Sequence, residues 1–229
     1  MNGSRQIPGR NSLELFILFL VGILPYELNG WYNPLIEGSP AVFWGADAFI
    51  FVAMPIAAYI YGTRRGLFTR RELGFHFDIR DRARAALFFA GLVILPIVLY
   101  YGTERSARLA AYIFKEACEK KTFGYEQLFG QMNAGKLAMV TYAAVTAGLV
   151  EEFYYRGMFK LLFKPGRANT VFYVLSSAII FSSVHWEGGP CQLFYTLIYG
   201  IMAAAAYALI KNIWPLVIAH MILDVVWFS

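Results

Sequence analysis

The sequence predicts an all-α, multi-pass membrane protein with about seven transmembrane helices around a membrane-embedded polar cavity. Three observations lead there. Hydrophobic residues fill 59% of the 229 positions and charged residues only 15%, with mean hydropathy +0.51, too little polar surface to cover a soluble globule of this size. The apolar residues fall in runs near the ~20 residues that a spanning helix needs. Inside those runs stand a few carboxylates, two histidines and an arginine. Such groups cost several kcal/mol at membrane depth, so they face a bundle interior and find partners.

Seven runs follow in order. The first, 13–29, comes after Arg5 and Arg10 as a secretory signal would, but continues into Pro25, Glu27 and Asn29 with no small-x-small cleavage site, and reads as a retained anchor. The second, 41–62, holds Asp47, an acid that can line a cavity or reach solvent from near the helix end. The third is 85–102. The fourth, 136–163, contains Glu151-Glu152-Phe153-Tyr154-Tyr155-Arg156, and the fifth, 169–186, ends on His185. The sixth, 191–210, carries the small residues of Gly200–Ala208, suited to close helix packing. The seventh, 213–228, holds His220 and Asp224. The last two are short or closely spaced, so the count lies between six and eight. Without repeats or low-complexity segments, 1–229 reads as one integral membrane domain.

Basic residues set the orientation. Arg64, Arg65, Arg70, Arg71, Arg80, Arg82 and Arg84 crowd one loop, whereas Trp31 to Pro40 and Trp186 to Pro190 hold no Lys or Arg. The positive-inside rule places the N-terminus, the 63–84 loop, the 156–168 turn and Lys211 in the cytoplasm, and the expected location is a bacterial or archaeal cell membrane. The 102–135 loop runs against the rule, with Arg105, Arg108, Lys115, Lys120 and Lys121 on the outer side; Leu109–Phe114 within it fits an amphipathic helix lying along the interface. The net charge of +5 fits contact with anionic membrane lipids, and nothing points to nucleic acid. Cys118 and Cys191 are far apart and form no CxxC or Cys/His cluster, which predicts neither a disulfide framework nor a zinc finger.

Helix geometry sorts the polar residues. Glu152 and Arg156 are four apart and can pair on one face, while Glu151 is turned by roughly 100° and points elsewhere as a free acid or base. Phe181 and His185 share a face, as do His220 and Asp224. Counted from the cytoplasmic helix ends, Glu151 and Asp224 lie about 18 Å deep, His185 about 22 Å and His220 about 12 Å. Three helices thus bring ionisable groups to similar depth, as a shared cavity requires. A carboxylate in a low-dielectric pocket is suited to take a proton from water and pass it to a leaving amine. Two imidazoles with carboxylates can instead ligate zinc and leave one position for water, with Glu151, His185, His220 and Asp224 as the ligand set. Both routes stay open on the residues alone. Nucleophilic catalysis fits less well, because Ser182 and Ser183 lack a GxSxG elbow and neither cysteine adjoins a histidine.

Glu-Glu-x-x-x-Arg at 151–156, Phe-x-x-x-His at 181–185 and His-x-x-x-Asp at 220–224, in this order over 136–229, resemble the three motifs of the CAAX-protease and bacteriocin-processing family of intramembrane endopeptidases, which includes the Ras-converting, prenyl-CAAX endopeptidase. The resemblance implies that Glu151 activates water, supported by Glu152 and Arg156. It implies that His185 and His220 stabilise an oxyanion or hold a metal, and that the substrate is a peptide or protein, lipid-anchored or membrane-tethered in some members. Asp224 stands where the prenyl-CAAX enzymes have asparagine, and its added charge favours a metal site or a cationic His220 over a neutral oxyanion donor. The competing readings are a non-catalytic membrane scaffold or immunity protein, in which Glu152 and Arg156 only stitch helices together, and a proton-coupled carrier.

Overall fold

A computed structural model describes residues 10–28, 40–77, 82–119 and 133–228. Among them the regular structure is all helical: α1 (Ser12–Glu27), α2 (Pro40–Ala48), α3 (Met54–Arg64), α4 (Arg82–Phe114), α5 (Asn133–Glu151), α6 (Arg167–Ser183), α7 (Gly189–Ile210) and α8 (Trp214–Phe228). A π-helical turn, Phe49–Ala53, joins α2 to α3, and a second, Glu152–Met158, extends α5. The first lies just ahead of Pro55, whose ring and missing N–H disrupt regular α hydrogen bonding at that point. Three stretches are long and apolar enough to cross a membrane: Val42–Arg64, Arg82–Cys118 and Trp186–Ile210.

Each helix has a packed stripe and an apolar outer face. In α1, Leu15, Phe19, Ile23 and Tyr26 are buried at helical spacing, while Leu13, Phe16, Ile17, Leu20, Val21 and Leu24 are exposed. An apolar outer face of this kind is what a helix offers to hydrocarbon. Helix α7 packs against α4 and α6, and α8 against α4 and α5. The turn 152–158 touches α1, α6 and α7, so it sits where the bundle is most enclosed. Contact between α6 and α7 depends on Gly200: a Cβ there would stand 2.9 Å from the Ala178 Cα, a backbone atom that cannot step aside.

Two expectations need correction. The 85–102 run does not end at Gly102, because α4 continues to Phe114 and takes Leu109–Phe114 with it. Its buried residues Leu95, Leu99, Thr103, Ser106 and Ala110 keep one stripe through the polar stretch, and the Glu104–Arg108 pair lies one turn apart on the helix surface. Burial of that stripe favours a bundle position over an interfacial one. Second, Cys118 and Cys191 form a disulfide, with Cα atoms 5.2 Å apart. Spacing of 73 residues in sequence carries no hint of a bond that depends on α4 and α7 packing side by side.

Arg10, Arg71, Arg84, Lys160 and Lys211 line a single groove, so the segments read as cytoplasmic do meet at one end of the bundle. His76 is part of that groove and its Nε2 lies 3.2 Å from the Lys211 carbonyl oxygen, a link between loops. Arg5, Arg80, Lys120, Lys121 and most of the Trp31–Pro40 stretch lie outside the described residues. Gly200→Val is expected to separate α6 from α7 and cost about 1–3 kcal/mol, read as a lower thermal midpoint of the detergent-solubilised protein, with Gly45→Ala, where a Cβ meets nothing, as the neutral control.

Candidate active site

The site is built on the π turn. Glu151 is the last residue of α5, and every residue from Glu152 to Met158 is buried. π turns are uncommon and concentrate at functional sites, because the wider turn re-aims side chains. Here the two adjacent glutamates take different positions. Glu152 is fully buried and faces Arg156, with Oε2 3.3 Å from Nε. Glu151 lines a cavity.

Arg156 is also fully buried. Its guanidinium carbon sits 4.2 Å from the ring centre of Phe181 and 5.6 Å from that of Tyr199, so the aromatic faces and Glu152 together surround the charge. Phe181, the first residue of the second motif, is therefore the platform for the arginine of the first. Tyr199 donates to Glu152 Oε1 at 3.4 Å, and its ring centre lies 5.1 Å from that of His220 with the planes tilted by 57°. Nothing in the sequence singled out Tyr199; an aromatic among small residues in an apolar run looks like packing.

His220 connects the buried pair to the cavity. Its Nδ1 lies 2.9 Å from Glu152 Oε1, and since a carboxylate oxygen accepts, Nδ1 donates. On the other side of the ring, Nε2 is 3.7 Å from Glu151 Oε2 and 3.7 Å from Asp224 Oδ2. One imidazole thus stands among three carboxylates from two helices. His185 follows α6, with Nδ1 2.9 Å from the Phe181 carbonyl oxygen. That carbonyl can only accept, so Nδ1 carries the hydrogen and Nε2 is the nitrogen left for other chemistry.

Glu151, His185, His220 and Asp224, predicted from three separate helices, line the same cavity of about 180 Å³, joined by Asp47 and Glu187. Glu152 and Arg156 stand behind its wall. Apolar side chains, among them Tyr26, Phe51, Leu223 and Trp227, make up much of the rest. Ser182 and Ser183 are spent on structure: Ser182 donates to the Leu193 carbonyl, and Ser183 to Glu27 and the Ile180 carbonyl.

A metal fits less well. Among the described residues no group of three or more His, Cys, Asp or Glu is placed to hold one. Glu151 Oε2 and Asp224 Oδ2 both lie 3.7 Å from His220 Nε2, the other His220 nitrogen is tied to Glu152, and one His185 nitrogen is bonded to backbone.

A family model described as Rce1-like, Type II CAAX prenyl endopeptidase Rce1-like, matches residues 133–226, the segment that carries all three motifs. Over this segment the chain is similar to the CAAX-protease family. No curated protein and no solved structure matches it. The match agrees with the order of the motifs, and the family that it describes is one of prenyl endopeptidases.

Removing one member of the buried array leaves the others charged and unpaired. Glu152→Ala is expected to destabilise the protein by about 3–5 kcal/mol, and Arg156→Lys to recover little, because an ammonium cannot lie flat against Phe181 and reach Glu152 together. Thermal unfolding in detergent reads both.

Proposed function

We propose that the protein is an intramembrane endopeptidase of the CAAX-protease type in which Glu151 acts as the general base. The observation that carries this reading is the division of labour between neighbours: Glu152 is sealed against Arg156 and His220, while Glu151 opens onto the cavity within reach of the same imidazole. Glu151 takes a proton from water as its oxygen attacks the scissile carbonyl carbon, giving a tetrahedral oxyanion. The C–N bond then breaks, and the proton passes from Glu151 to the departing nitrogen, leaving a carboxylic acid and an amine.

His220 holds this arrangement in place. Nδ1 is tied to Glu152, so Nε2 points toward Glu151 and the reacting centre, where an imidazolium N–H can donate to the oxyanion. Asp224 supports the charged form of that ring. His185, with Nδ1 bonded to backbone, offers Nε2 to orient water when neutral or to donate when protonated. Glu152, Arg156, Phe181 and Tyr199 are positioning residues.

Residues Phe51 and Thr146 belong both to this cavity and to an adjoining, mostly apolar groove of about 460 Å³ between α5 and the α2–α3 helix, which includes Pro55, Ile56 and Tyr59. That groove favours a lipid-tethered peptide, with the anchor held beside the bond to be cut. A scaffold or carrier has no need of a cavity-facing base beside an anchored imidazole. Glu151→Gln is expected to lower the cleavage rate of a peptide library by about 10²–10⁴-fold with the thermal midpoint nearly unchanged. Cleavage that survives the substitution, or proton flux into vesicles that depends on Glu151, would overturn the assignment.

A further inference from the structure

Two polar cavity residues lie outside the three motifs and outside the matched segment: Asp47 on α2 and Thr103 on α4. Asp47 accepts a hydrogen bond from the Tyr142 hydroxyl at 2.8 Å through Oδ2. Thr103 is more unusual. Its side chain is 4% exposed, it lines the cavity, and its Oγ1 has no hydrogen-bond partner among the described residues. Other helical threonines here satisfy their hydroxyls by donating to the carbonyl four residues earlier: Thr63, Thr141, Thr146, Thr170 and Thr196 do so at 2.6–2.9 Å. Thr103 forgoes that bond. It is held in place by close packing at Gly102, where a Cβ would come within 2.6 Å of Met202 of α7. A buried hydroxyl left without a partner costs on the order of 1–3 kcal/mol, a cost that a ligand group would remove.

The charge of the cavity says which group. Its described lining contains four carboxylates, Asp47, Glu151, Glu187 and Asp224, against two histidines and no lysine or arginine. Arg156, the nearest permanent cation of the site, is sealed behind the wall with Glu152. A free peptide carboxylate entering this space would meet like charges with no fixed cation to hold it, whereas an ammonium or guanidinium would find acceptors on every side.

We propose that Asp47 and Thr103 form a recognition subsite for a cationic group of the substrate, a Lys or Arg side chain or a free amine close to the scissile bond. This rests on the endopeptidase reading for its place in catalysis but not for binding. A guanidinium or ammonium N–H would donate to the Asp47 carboxylate, and another to Thr103 Oγ1. The N-terminal helices, which the family match does not reach, would thereby supply substrate selection to a catalytic unit carried by the C-terminal ones.

Binding separates the two readings. Full-length Glu151→Gln protein in nanodiscs is titrated with fluorescein-labelled, Ala-rich decapeptides, each carrying one Arg at a scanned position, and with twins in which citrulline replaces Arg. N-acetylated and C-amidated versions of each are included. The Arg peptide is expected to bind about tenfold tighter than its citrulline twin at one position, with the difference abolished by Asp47→Asn and reduced by Thr103→Val. Citrulline binding that is unchanged in those variants shows that the fold is intact. Loss of affinity on acetylation alone identifies a free amine as the cation and supports the subsite equally. Equal binding of all charge variants, a preference that survives Asp47→Asn, or tighter binding of peptides with a free C-terminal carboxylate than of their amides would overturn the proposal. With wild-type protein, Asp47→Asn should raise KM for the Arg peptide and leave kcat and the citrulline KM in place. If no peptide is cleaved by wild type while the Arg preference in binding holds, the endopeptidase reading fails and the subsite stands.

Discussion

The constraint around which this bundle is arranged is a permanent positive charge with no access to water. Arg156 cannot lose its proton, and it is fully buried. In an apolar interior the guanidinium is tolerable only if its surroundings supply compensating charge and polarisable faces. Glu152 supplies the first, Phe181 and Tyr199 the second, and His220 takes up the remaining oxygen of Glu152. These five residues come from the π turn, α6, α7 and α8. Satisfying one charge therefore fixes the relative placement of the elements that form the cavity, and the glutamate next in sequence to Glu152 is delivered to the cavity wall as a result.

Much of this was legible in the residues, because each signal was either a run length or a spacing. Apolar stretches near bilayer thickness marked the helices, and ionisable residues four apart marked shared faces. Glu152 with Arg156 and His220 with Asp224 needed nothing beyond helical geometry to be paired, and depth gathered Glu151, His185, His220 and Asp224, four of the ionisable groups that face the cavity. What escaped notice depends on packing between distant segments. The Cys118–Cys191 bond requires α4 to run straight past Gly102 and lie along α7. Thr103 has meaning only once its hydroxyl is seen to lack the carbonyl that other helical threonines use. Tyr199 looked like one more apolar-face aromatic until its hydroxyl was placed beside Glu152.

The two halves of the chain contribute differently. Segment 133–226 holds the motif residues, the buried ion pair and the histidines, and it alone matches the family. Helices α1, α2 and α4 and the π turn Phe49–Ala53 enclose the cavity and give it Tyr26, Asp47, Phe51 and Thr103. On the proposed reading, chemistry and selection are carried by separable parts of the sequence, joined by the disulfide from the 3₁₀ turn Lys115–Glu119, which follows α4, to α7 and by the hydrogen bond from Tyr142 to Asp47. On that reading, a change in the first helices would alter what is admitted without disturbing what happens to it.

The π turn at Glu152–Met158 has a consequence of its own. A helix containing one such turn carries one residue more than an α-helix of the same angular course, so the segments before and after it are out of step by about 100°. The doubled glutamate sits on that seam. One carboxylate belongs to the phase of the preceding helix and looks into the cavity, and its neighbour belongs to the phase that follows and looks into the bundle. A single-codon deletion within the seam would bring the two phases back into register and merge both acids onto the spacing of an ordinary helix, leaving Arg156 aimed away from Phe181. Consecutive acids are turned about 100° apart in any α-helix, and what the surplus residue sets is the phase of Arg156 and the segment after it relative to Glu151.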